Sequence, residues 1–127
     1  MSGLFGIFGR APELERLDLA LRNLGVHPRA VPDAVKLTTV KLLKEARGGS
    51  VPDQHDCAGA AALLGYCILG PQAFAAANGA VQTETADMRL AASCEAGYGI
   101  DARLVLLTMH ARLIHPSVVE RYQLAIE

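Results

Sequence analysis

The chain has 127 residues, 12 Lys and Arg against 13 Asp and Glu, and 51% apolar side chains. That length fits one domain of ordinary size, able to bury about two-thirds of its unfolded surface and so to fold without metal or disulfide. A net charge of −1 excludes a globally basic nucleic-acid binder, and three cysteines with no CxxC pair make neither a disulfide framework nor a zinc knuckle.

Trp is absent, and Phe and Tyr number three each. Ala and Leu dominate instead, which favours close-packed helices over strands. Cys57, Cys67 and Cys94 read as reduced thiols, which points to the cytoplasm. The chain opens on MSGLFGIFGR, a short apolar run without a basic n-region and therefore a poor signal peptide. Leu4, Phe5, Ile7 and Phe8 are still too apolar for an idle tail. They mark a candidate partner-binding segment, docked on the domain or on a second copy, with a shallow membrane-surface anchor as the alternative.

The first helix starts at Pro12, whose missing N–H costs nothing in an opening turn. Leu14, Leu17, Leu21 and Leu24 form its apolar stripe, and Gly25 supplies the left-handed stop. After the proline-punctuated VHPRAVPD, residues 33–47 read as a second helix, ended by Gly48 and Gly49. Lys36, Lys41, Lys44 and Arg47 lie on it. With Arg29 they oppose only Asp33 and Glu45, a local balance of +3. They are candidate partner-binding residues for an acidic protein face. Nucleic acid is the lesser reading, because they spread over a wide arc and no aromatic interleaves for base stacking.

Ser50 and Asp53 read as the capping pair of a third helix. It enters CAGAAALLGYCILGPQAFAAANGAV, residues 57–81, which holds no charge. Residues 57–69 are thirteen in number, short of the ~20 that cross a bilayer, and Gly70-Pro71 breaks the run. The preceding cations do match the positive-inside pattern. The expectation is nonetheless no membrane span but the central helix of a globule, with Ala58, Ala61, Ala62 and Gly65 as its close-approach surface. His55, Asp56 and Cys57 stand about 100° apart on a helix and cannot converge on one reacting atom. Asp53 and Asp56 instead complement the positive end of the dipole.

A short helix then closes at Gly79, and Thr83 or Thr85 caps the next, which runs to about Ala96. Asp101 caps a helix that continues to Ile114. On it Arg103 and His110 fall about 20° apart, hemmed by Leu106, Leu107 and Ile114, with Asp101, Thr108 and Arg112 on the opposite face. A helix this apolar belongs in the centre, so Arg103 and His110 are expected near the core or lining a cleft. Buried cations need partners. Glu84, Asp87 or Glu95 serve if the role is structural. An anionic small molecule serves if the pair forms a ligand site, with Tyr66, and with Cys67 or Cys94, as further lining.

His110 and His115 are five apart rather than four, and no carboxylate completes a metal set. His115-Pro116 forces a turn in which a capping role suffices. Ser117 and Glu120 read as the capping box of the last helix. The glycines of GLFGIFG and GYG match no nucleotide-binding fingerprint, so no cofactor is indicated.

These signals describe an all-α, compact single-domain bundle of six or seven helices around residues 57–69 and 104–114. The leading functional expectation is a small soluble protein-interaction or regulatory module, homo-oligomeric through apolar helix faces. A different class is an anion-binding protein or enzyme at Arg103, His110 and Tyr66. Third is a nucleic-acid contact through the cationic helix.

Overall fold

The structure, a computed structural model, describes residues 11–124. Proline and glycine set the ends of most elements. The helices are α1 (Pro12–Asn23), α2 (Asp33–Ala46), α3 (Gln54–Asn78), α4 (Ala80–Ala96), α5 (Ile100–His110) and α6 (Pro116–Tyr122), with a 3-10 turn at Pro28–Ala30. No strand occurs among the described residues. One apolar cluster draws on all six helices, and α3 touches each of the other five. The all-α bundle expected from composition and periodicity is what the chain forms.

The stripe on α1 is directed inward as its spacing requires, with Leu17 and Leu21 fully buried and Leu14 and Leu24 packed at the edge. Gly25 ends it at φ +92, where the Val26 N–H reaches the Leu21 carbonyl at 3.0 Å and closes a Schellman turn.

The start of α3 differs from expectation. Asp53, not Ser50, is the N-cap. Its carboxylate accepts the Asp56 N–H at 2.8 Å, and the Asp56 carboxylate accepts the Asp53 N–H at 3.0 Å. The reason is Pro52, which holds Val51 out of the helical region and delays the helix by one turn. Farther along, Gly70 (φ +86, ψ 162) and Pro71 kink α3 as the sequence predicts. Pro71 has no N–H for the Cys67 carbonyl, and the His115 N–H occupies that carbonyl at 2.7 Å. A Cβ at Gly70 would lie 2.9 Å from Ser117 Oγ and 3.0 Å from the His115 ring, so only glycine fits.

α3 is long and apolar enough, by length and composition alone, to cross a membrane, and half of its most apolar window is buried inside the fold. Ala61, Leu63, Leu64, Tyr66 and Cys67 are fully enclosed by neighbouring helices. Gly65 contributes to the expected close-approach surface, with Phe74 and Val26 against it, whereas Ala58 faces solvent.

The remaining caps also depart from expectation. α4 begins at Ala80, with Gly79 alone between it and the end of α3, so Thr83 and Thr85 lie inside it. Their hydroxyls donate back to the Gly79 and Val81 carbonyls at 2.8 and 3.0 Å. Asp101 sits in the first turn of α5 behind the N-cap Gly99. That helix stops at His110 rather than Ile114, because Arg112 turns left-handed (φ 59) and the Leu113 N–H bonds the Thr108 carbonyl at 2.9 Å. For α6 the N-cap is His115, not Ser117, since Pro116 fixes the first helical position.

Candidate functional site

The largest correction concerns α5. Arg103 and His110 do share a face, but that face is turned to solvent. Thr108, expected outside, is fully buried with Ala102, Leu104 and Val105. Its hydroxyl donates to the Val105 carbonyl at 2.7 Å, so the group enters the core already bonded. Small Ala102 and self-satisfied Thr108 let α5 lie close against its neighbours, a position the Arg103 side chain does not suit. Arg103 pairs instead with Glu45 of α2 at 3.4 Å, both about half exposed. Tyr66, on α3, is fully buried. Its hydroxyl lies 2.8 Å from that of Tyr122 and 3.4 Å from Asp87. Arg103, His110 and Tyr66 therefore do not meet.

The cationic helix is largely neutralised from within. Lys36 is buried, 2.9 Å from Asp18 and 3.7 Å from Asp33. Lys44 meets Glu13 at 3.2 Å. Arg47 bridges Asp53, at 3.2 Å, and Asp56. The backbone N–H of Asp56 and then the Arg47 guanidinium hold the Asp53 carboxyl below the usual range. Lys41 remains exposed. Leu4, Phe5, Ile7 and Phe8 lie outside the described residues.

Arg89 of α4 is the most fully bonded cation. Its Nε and one terminal nitrogen grip Asp101 of α5 at 3.0 and 2.9 Å, and the other donates to the Gly59 carbonyl of α3 at 2.8 Å. Asp87, two residues earlier, accepts from Arg121 at 3.2 Å and from the Tyr122 hydroxyl, and so ties α6 to α4 beside Tyr66. Burial, and secondarily the Asp87 charge, push the Tyr66 phenol up to about 12. This polar cluster escaped the sequence reading. Its signal was Asp87 and Arg89 set between inward-facing Ala86 and Leu90; their partners stand too far off in sequence for spacing to reveal.

Three surface clefts matter. One of about 360 Å³ runs between α4, α5 and α6, lined by Cys94, Val105, Leu106, Met109, Tyr122 and Leu124. A second, about 200 Å³, lies between α1, α3 and α4 over Leu19, Ala58 and Ala62. The third, about 300 Å³, lies over Leu43, Ala60 and Leu104, with His55 at its rim beside the Arg47 and Arg89 ion pairs. Arg103 and His110 line none of them. Among the described residues no three His, Cys, Asp or Glu side chains converge as metal ligands.

The outer surface of α4 mixes apolar side chains with the exposed Gln82, Glu84, Thr85 and Glu95. Of its seventeen residues only Ala86, Leu90 and Ser93 are buried. Val81 is 80% exposed and Met88 65%; being seven apart they share one face, and Ala91 and Ala92 continue the exposed surface. Comparison of the chain with protein-family models, curated proteins and solved structures finds no match.

Proposed function

We propose that this chain is a small protein-interaction module of the cytoplasm that self-associates through the outward face of α4. The carrying observation is the contrast on that helix. Asp87 and Arg89 are spent on contacts within the fold, while Val81 and Met88 remain open to water beside the exposed Glu84 and Glu95. Large apolar side chains at heptad spacing, rimmed by the exposed Glu84 and Glu95, suit a helix pair with an apolar seam and a charged edge. The apolar segment Leu4, Phe5, Ile7 and Phe8 adds a second element for contact with a copy of the chain. Free thiols at Cys57, Cys67 and Cys94 suit a reducing compartment. Against the anion-binding reading, Arg103 is exposed and paired with Glu45, and against the nucleic-acid reading, three of its four cations are already paired.

Light scattering across a concentration series tests the proposal. The wild-type chain is expected to reach a dimer, Val81→Asp with Met88→Asp to shift the midpoint at least tenfold higher, and removal of residues 1–10 to shift it less. A strict monomer at all concentrations, or a dimer indifferent to both substitutions, contradicts it.

A further inference from the structure

Two His-Pro steps occur in the described chain, His27-Pro28 and His115-Pro116, and both histidines serve as N-caps. His27 Nδ1 accepts the Arg29 N–H at 3.1 Å, and His115 Nδ1 accepts the Ser117 N–H at 3.0 Å. Proline accounts for the pattern: it occupies the first helical position and has no N–H, so the first donor lies two residues past the histidine. A ring nitrogen accepts only when it carries no proton.

At His115 more depends on this bond. The His115 N–H closes the Cys67 carbonyl left open by Pro71, and its ring lies against Gly70 at the kink of α3. The Ser117 hydroxyl lies 2.7 Å from the same Nδ1. Beyond the cap, α6 is seven residues long, with Val118 its buried anchor, and a helix that short does not persist alone in water. His115 itself is exposed, so solvent protons reach it.

We propose that His115 is an acid-sensitive latch: protonation of Nδ1 removes the acceptor from the Ser117 N–H and releases α6 from the Gly70 kink, uncovering Tyr66. Imidazole is the side chain whose charge ordinarily changes between about pH 5 and 8. The cap is present while Nδ1 carries no proton and is lost when it takes one. The α3 segment under the ring offers the Cys67 carbonyl, and the Cys67 thiol stays neutral, pushed up to about 12 by burial. On α4, Asp87 holds Arg121 and Tyr122. His110 and Arg112 lie on the chain entering the cap, and Glu120 and Arg121 on α6. Around His27 stand Arg22, Arg29, Asp33 and Lys36.

Amide hydrogen exchange of the full chain between pH 8 and 5.5, referred to unstructured-peptide rates at each pH, reads the latch. Protection of Val118, Val119 and Tyr122 is expected to fall about tenfold on acidification, the equivalent of one lost cap. Amides of Ala61 and Leu64 are expected to hold. His115→Asn caps without titrating and should flatten the response; His115→Asp replaces it if the asparagine variant is already open at pH 8. His27→Asn should leave the α6 response intact. Protection of α6 that ignores pH in the wild type, or that falls equally in the non-titrating variant, overturns the proposal.

Discussion

The three thiols of this chain occupy three different environments, and their chemistry should differ accordingly. Cys67 sits among α3 neighbours with no exposure, and burial pushes its thiol up to about 12, only partly offset by a hydrogen bond with Thr108. Burial also raises Cys57, whose sulfur is 3.8 Å from the Glu13 carbonyl. Cys94 is exposed at the α4–α5–α6 cleft. Since the thiolate is the reactive species, a disulfide reagent at pH 8 should modify one thiol per native chain and three in denaturant. Rapid loss of two or more thiols from the native protein contradicts this burial pattern. At this scale the sequence was legible where apolar character alone decides, as at Leu17 and Leu21. It was not legible at Thr108 and Arg103, because residue type does not show that a hydroxyl can bond its own helix and enter the core. His55 is exposed at the start of α3.

At the scale of elements, charged residues act chiefly as ties between helices. Lys36 joins α2 to α1, Arg103 joins α5 to α2, Arg121 joins α6 to α4, and Arg89 joins α4 to both α5 and α3. Arg89 is the most consequential because it grips Asp101 with two nitrogens and adds a hydrogen bond at the Gly59 carbonyl of a helix that carries no charge of its own beyond its first turn. Arg89→Met should keep the volume, remove the extra hydrogen bond at the Gly59 carbonyl, leave the Asp101 carboxylate without its cation, and cost about 2 kcal/mol. Denaturant unfolding measures it, and a loss under about 0.5 kcal/mol, the range of an exposed surface pair, contradicts the assigned role. Helix ends followed proline more faithfully than they followed Ser and Thr. Pro52 and Pro116 displaced the caps expected at Ser50 and Ser117 onto Asp53 and His115. The capping rules were sound in kind, but backbone restriction by proline outranks a side-chain preference worth about 1 kcal/mol. The kink at Gly70 was readable from the dipeptide itself; its docking with His115 needed the fold.

Across the whole molecule, the charge-free run that resembles a membrane segment in composition is the element around which the others assemble. α3 meets all five remaining helices, and the two largest fully enclosed side chains, Tyr66 and Phe74, belong to it. The helical class and the central place of this segment followed from the absence of charge together with the Gly70-Pro71 break. The candidate ligand site did not, because it rested on which face of α5 turns inward, and a helix apolar nearly all round carries little information on that point. Every other inference here depends on α3 packing as the interior of a globule in water. Amide exchange in detergent-free buffer tests this most directly. Slow exchange is expected at Ala61, Leu64 and Tyr66, near the global unfolding limit and unchanged by added lipid vesicles. Fast exchange of those amides in buffer, with protection gained only when vesicles are added, would contradict it.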